Sequence, residues 1–297
     1  MSTATLKSTM RYVVAITIVA VFVFPIAWFA LTSIKPISAV FNKDRVVVFD
    51  FEPTLDNYAV TVLGGRKADQ DNNNATIQMG TSGEGAYDGR GSIMSSFIIA
   101  TSSTFLATLI SLLAAYALSR LTFRGAQGYM HWILSQRFLP PIAIIVPLVL
   151  IFRDLGLRDT HLGLILAHTF INIPIALLLL KSFFDDVPIE VDQAAMIDGA
   201  TRFQCFYMVV LPMIRGGVAA TAVLCFIFSW TEFLLSLFLT NSIRTVPVKI
   251  TTFVTSTGSE WGYISALGTA AILPGFIFIL LVQNHLVRGL TMGAVKD

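Results

Sequence analysis

Charge is scarce in this 297-residue chain: Asp, Glu, Lys and Arg make up 13% of it, against about 25% in a soluble domain. With 55% apolar residues and a mean hydropathy of +0.74, the chain suits hydrocarbon rather than water. Cysteine is nearly absent too. Cys205 and Cys225 are the two present, too few for a disulfide framework and without metal-ligand spacing. No G-x-x-x-x-G-K-[ST] stretch occurs, so nucleotide phosphates cannot be cradled in that way. Paired carboxylates, a histidine cluster and a nucleophile–base constellation are all missing, which argues against a membrane-embedded enzyme. Glu232 is the one carboxylate clearly inside an apolar run, poor provision for a proton or sodium relay. The formal charge of +2 carries no nucleic-acid signature.

What is abundant is long apolar runs. A helical span needs roughly 20 mostly apolar residues, and six runs qualify, at about 12–34, 93–119, 130–152, 162–181, 215–240 and 265–287. They are continuous and lack period-two alternation, so the expected fold is an all-α membrane protein with six transmembrane helices rather than a barrel. The first run is too long for a signal-peptide core, and no small-residue cleavage site ends it, so it is expected to stay as the first span. Basic residues set the orientation. Lys7 and Arg11 precede the first span, Arg120 and Arg124 follow the second, and Arg288 and Lys296 follow the last. All fall on one side, taken as cytoplasm, together with both termini and the segment 182–214. Arg153, Arg158 and Arg244 lie on the other side, partly near acids.

The most informative polar segment is Asp185 to Pro212, DDVPIEVDQAAMIDGATRFQCFYMVVLP. Its residues predict two short helices and a turn. Pro188 fits a first helical turn, with Asp186 or Val187 at the N-cap. Gly199 can take the left-handed conformation that ends a helix. Thr201 and Gln204 have capping-box spacing, so a second helix starts there. Pro212 marks that helix's end or a kink into the next span.

Gln193, Ala194, Ala195, Gly199, Val209, Leu211 and Pro212 resemble the cytoplasmic EAA loop of membrane permeases in binding-protein-dependent ABC importers. Asp198-Gly199-Ala200 resembles the D-G-A of the carbohydrate branch. Gln193 replaces the family glutamate, keeping its length and hydrogen bonding but not its charge; Glu190 and Asp192 are close by. Further matches run along the chain. Pro53 to Tyr58, the stretch Ala114-Ala115-Tyr116-Ala117-Leu118-Ser119-Arg120 with Phe123 and Gly125, and Arg137 before Pro140-Pro141 are similar to carbohydrate permeases. So are Ser229-Trp230-Thr231-Glu232-Phe233, where Thr231 replaces an asparagine, and the tail 288–297, which looks maltose-type. The resemblance organises the chain into an N-terminal tail (1–11) and a permease domain (12–297). That domain includes an outer loop (35–92), the coupling loop (182–214) between helices 4 and 5, and a C-terminal tail (288–297). The polar tract from Gly64 to Gly91 within the outer loop reads as a tolerated insertion, with the seating of an external binding protein as the alternative.

Inside the spans, a charged side chain costs about 3 kcal/mol or more at the bilayer centre, so Arg137 and Glu232 need partners, water or a role. Their depths along the spans set them too far apart for a direct ion pair. Trp230 with Glu232 offers an aromatic face and an acceptor suited to a hydroxylated solute. His168 and Asn172 share a helix face. These five residues are candidates for the solute pathway, with interhelical hydrogen bonding as the structural alternative. Pro140, Pro141 and Pro147 imply a bent or broken third span. Gly268, Ala271 and Gly275 form a packing stripe.

The resemblance implies a transporter subunit of the bacterial inner membrane with no catalytic residues and no cofactor of its own, ATP and Mg belonging to a partner. Implied partners are a second homologous permease subunit, an ATPase dimer, an extracytoplasmic solute-binding protein and a carbohydrate or polyol, within membrane lipid. Glu190, Asp192, Gln193, Ala194, Ala195, Asp198, Gly199, Ala200 and Pro212 are the expected ATPase-coupling residues. The rival readings are an ion-coupled secondary transporter and an ABC permease for a non-sugar solute.

Overall fold

The computed structural model describes residues 3–40, 51–64, 87–255 and 258–292. Most of the Val46–Phe51 run and the polar tract 65–86 lie outside the described residues. The chain is mostly helical: α1 (Thr3–Ser33), α2 (Asp56–Thr61), α3 (Arg90–Arg120), α4 (Ala126–Ser135), α5 (Pro141–Asp154) and α6 (His161–Asp185) come first. There follow α7 (Ile189–Ile197), α8 (Arg202–Met213), α9 (Arg215–Trp230), α10 (Leu234–Leu239), α11 (Val246–Thr251) and α12 (Trp261–Met292). One two-residue antiparallel ladder pairs Val254–Thr255 with Gly258–Ser259.

Among the described residues, four helices are long and apolar enough to cross a membrane: Thr9–Ser33 of α1, α3, α6 and Trp261–Leu280 of α12. Two bent pairs raise the number to six if each is one span. The third apolar run is the first of these, with α4 (continued by a short 3-10 turn to Phe138) and α5 meeting at 97°. Proline explains the break: Pro140 is extended, Pro141 opens α5, and neither supplies an N–H to continue a helix. The fifth run, expected as a continuous helix over 215–240, is interrupted instead. Helix α9 stops at Trp230, residues 231–233 leave the helical path, and α10 starts anew. Upstream, α8 contains a π-helical turn over Cys205–Val210 and bends 78° into α9 just after Pro212. Helix α1 begins at Thr3, so most of the expected N-terminal tail is helical backbone.

The chain divides into two units, Met1–Arg90 with Lys249–Ile272, and Gly91–Val248 with Leu273–Asp297. In the first, the family-like Pro53–Tyr58 stretch works as a latch. The buried Asn57 amide donates to the Ser33 and Lys35 carbonyls, both at 2.9 Å, and Tyr58 Oη lies 2.7 Å from Ser33 Oγ. Gly268 lies against Phe29, with no room for a Cβ between them, whereas a Cβ on Gly275 would meet nothing within 4 Å among the described residues. The expected packing stripe is therefore used at Gly268, against Phe29.

The second unit has two apolar centres. Leu112, Ala115, Leu177, Leu180, Phe184, Phe206 and Val210 join α3, α6 and α8 near the polar elbow. Ile99, Ile145, Phe152, Leu164, Leu235 and Leu239 join α3, α5, α6 and α10 toward the other end. Where lipid rather than water is the alternative environment, close packing and interhelical hydrogen bonds distinguish these contacts. Both cysteines are buried and free.

Candidate functional site

The elbow 182–214 is built from local signals. Gly199 has φ +93°, and a Schellman-like closure carries Ala200 N–H to the Ala195 carbonyl (3.0 Å) and Gly199 N–H to Met196 (3.1 Å). The capping box is complete: Thr201 N–H donates to Gln204 Oε1 (2.7 Å), and Gln204 N–H to Thr201 Oγ1 (3.3 Å). The start of α7 differs from expectation. Pro188 is its N-cap, in extended conformation, rather than its first helical residue. Asp186 remains helical as the C-cap of α6, and Val187 is buried. The reason is that α6 continues to Asp185, leaving only two residues to make the turn.

Asp192 also departs from its expected place. It faces inward, not toward a partner. Arg120 Nε lies 2.8 Å from Asp192 Oδ2, with side-chain exposures of 7% and 5%. Arg120 Nη2 donates to the Val187 carbonyl at 2.7 Å, and Tyr116 Oη donates to Asp192 Oδ1 at 3.0 Å. One guanidinium thus holds both the turn before α7 and α7 itself, while the ring of Tyr116 packs on Phe184 and Phe206. Sequence reading used Arg120 as one of the basic residues that set the orientation; its distance of 72 residues from Asp192 hid the pair. The family-like Tyr116 and Arg120 were the signal, read without their partner.

With Asp192 turned in, α7 presents Glu190, Gln193, Ala194 and Asp198 outward, with Gly199 at its exposed end. Ala195 and Ala200 are half-buried. Ile197 is 85% exposed, and Ile189, Met196 and Phe203 are exposed beside it. This small apolar face, on an element held by a buried ion pair, was not picked out from sequence because single apolar residues among polar ones carry no period.

The second constellation surrounds the break in the fifth run. Glu232 accepts from the N–H groups of Leu235 (2.8 Å) and Ser236 (3.1 Å) and from Ser236 Oγ (3.1 Å), so its carboxylate caps α10. His168 Nε2 lies 3.3 Å from Glu232 Oε2 and 3.3 Å from Ser236 Oγ. Asn172, one turn along α6, donates to Ser229 Oγ (2.8 Å) and the Cys225 carbonyl (3.3 Å), and Ser229 reaches Ser103 of α3 at 2.8 Å. Trp230 is buried and stacked on Phe226. His168 and Glu232 therefore share one hydrogen-bonded cluster with Ser236, and Asn172 shares a second with Ser229 and Ser103; both are anchored on α6, and together they tie it to α3, α9 and α10. Their unspent atoms are His168 Nδ1 and Asn172 Oδ1, both buried. Arg137 stands apart from Glu232, as expected. It is exposed, 3.5 Å from the Ile171 carbonyl and over the Phe228 ring at 5.3 Å.

Between α5 and α6, sequence reading missed Asp159. At φ +58°, its carboxylate accepts from the N–H groups of Asn241 (2.9 Å), Ser242 (2.9 Å) and Ile243 (3.2 Å) and from the Ser242 hydroxyl (2.8 Å). Desolvation alone would raise its pKa; these four donors outweigh it and hold the group at about 2.

These features define a polytopic helical membrane protein with one rigid polar elbow and one broken, hydrogen-bonded helix. The chain belongs to the binding-protein-dependent transport system inner membrane component family, which matches residues 107–292. It is 33% identical to the sulfoquinovosyl glycerol transport system permease protein SmoH of Agrobacterium fabrum, over 97% of this chain and 93% of that one. The trehalose transport system permease protein SugB of Mycobacterium tuberculosis is 33% identical, with 92% of this chain and 92% of the relative covered. The trehalose/maltose transport system permease protein MalG of Thermococcus litoralis is 31% identical over 98% of each. A chain of a bacterial ABC transporter involved in import of the acidic polysaccharide alginate shares the fold, with TM-score 0.71 at 19% identity over 96% of this chain and 99% of that one.

Proposed function

We propose that this chain is the permease subunit of an ATP-driven importer for a carbohydrate or polyol, and that α7 is the element through which a separate ATPase moves it. The observation that carries the coupling role is the buried Arg120–Asp192 pair with its Tyr116 and Val187 hydrogen bonds. It welds α7, with its small exposed apolar face, to α3, one of the long spanning helices, so force on α7 becomes displacement of α3 rather than local bending. The small residues Ala194 and Ala195 and the exposed Ile197 suit a helix seated in a groove. The sugar class rests on the relatives, whose names specify sugar and glycoside cargo.

In this reading the two bent pairs count as spans, giving six, with the elbow and both termini in the cytoplasm. A second homologous permease completes the pathway, an ATPase dimer with its ATP and Mg works below, and a solute-binding protein delivers cargo outside. The solute passes the break at 231–233. Trp230, Glu232, His168, Asn172 and Arg137 shape that passage, the first four through the packed, hydrogen-bonded break and Arg137 from its exposed position by Phe228. Alternation between two states would be a population shift driven by ATPase closure.

The test is a single cysteine at the apolar tip, Ile197→Cys. In the assembled importer it is expected to crosslink to the ATPase subunit and to be shielded from aqueous thiol reagents added outside the cell. Uptake in proteoliposomes is expected to need ATP and to ignore ion gradients. Labelling from outside, or uptake driven by an ion gradient without ATP, would reject the proposal.

A further inference from the structure

A groove of about 590 Å³ opens between α4 and the end of α6, beside the elbow but separate from the α7 face. Its lining is mixed: apolar Leu134 and Leu178, and polar Gln127, His131, Lys181, Ser182 and Asp186. The Lys181 ammonium is already matched by Asp185 at 2.6 Å, and Asp185 also accepts from Ser119 at 2.6 Å. Asp186 is therefore the groove's unmatched charge: its carboxylate, like the His131 ring, has no side-chain partner among the described residues.

The depth of this groove is marked independently. Helix α4 makes 97° with α5, so the two cannot both follow the membrane normal. Helix α4 turns exposed Tyr129 and Trp132 away from the groove, residue types that settle at head-group level. Lys181 sits at the end of the apolar run of α6. Apolar and polar lining residues beside interfacial aromatics together match a lipid's chain and head group.

We infer that the groove binds a phospholipid of the elbow-side leaflet whose head group carries a primary ammonium. The ammonium meets Asp186, the phosphate takes hydrogen bonds from Gln127 and Ser182 with Lys181 near, and one acyl chain follows Leu134 and Leu178. The net negative charge disfavours an anionic head group. A quaternary ammonium has no N–H to give Asp186, so choline lipid should bind less well than ethanolamine lipid. The lipid would bridge α4 to the last turn of α6, the turn from which the elbow departs.

The experiment uses the whole importer, purified with its partner subunits, delipidated, and offered phosphatidylethanolamine, phosphatidylcholine or phosphatidylglycerol in detergent, with bound lipid counted by native mass spectrometry. Ethanolamine lipid is expected to be retained about tenfold better than choline lipid, as the loss of one charge-assisted hydrogen bond implies. Asp186→Asn and, independently, Leu134→Trp are each expected to remove that preference while the complex stays assembled. Equal retention of the three lipids by the unmodified importer would overturn the inference without reference to any variant. So would unchanged preference in both variants, or a side chain of the ATPase found filling the groove. The lipid-retention outcomes do not bear on the crosslink at Ile197, so this site and the coupling proposal fail separately.

Discussion

Replacing Arg120 by Met tests the weld between elbow and span. The wild-type guanidinium satisfies the Asp192 carboxylate at 2.8 Å and the Val187 carbonyl at 2.7 Å. Removing it leaves a carboxylate of 5% side-chain exposure with only the Tyr116 hydroxyl for company. Breaking a buried pair from one side costs about 3–5 kcal/mol. Asp192→Leu leaves the cation stranded and should cost a similar amount. The double variant removes both charges and forfeits only the two neutral partners' hydrogen bonds, about 1 kcal/mol each. Denaturant titration of the purified importer in micelles should therefore rank the double variant well above either single one. ATP-driven uptake should follow the same order, because the elbow keeps its apolar packing through Phe184, Phe206 and Val210. If the two single losses simply add in the double variant, the pair is not coupled and the rigid-elbow argument fails.

Gly199→Val places a β-branched residue at φ +93° with open space around it, so the cost is backbone strain of about 1–2 kcal/mol; uptake should be lost while membrane insertion is kept, and normal uptake would contradict the lever. Glu232→Ala removes the cap of α10, about 0.5–2 kcal/mol. The maximal uptake rate should fall with the half-saturation concentration changed less than about twofold, whereas a large change in half-saturation alone would make Glu232 a solute ligand. Asp159 predicts a pH dependence. Its folded pKa of about 2 lies below the ordinary 3.8, so its stabilisation is full above pH 4 and is lost as pH falls toward 2. The stability gap between wild type and Asp159→Ala should close over that window, and a gap independent of pH would show that the charge is irrelevant.

Several elements were legible because their signals are local. Gly199 as a left-handed terminator and Thr201–Gln204 as a capping box depend on neighbours within a few residues. The break after Phe138 follows from two adjacent prolines. The N-terminus of α7 was misplaced because Pro188 suits both an N-cap and a first turn, and only the end of α6 decides between them. The fifth run reads as continuous because 231–233 contain neither glycine nor proline. The break exists because Glu232 caps the following helix while His168, from another helix, holds that carboxylate in place.

By itself, then, the sequence determined a membrane-embedded helical chain, its apolar runs, and the turn-and-cap grammar of the elbow. Those follow from composition and from contacts along the chain. Only the tertiary structure decided that Asp192 points inward to Arg120, that Glu232 is occupied by a helix end, and that Asp186 faces a groove. A carboxylate's neighbours in the chain do not say whether it meets a cation, a helix terminus or an open cleft. That depends on which distant helix packs beside it.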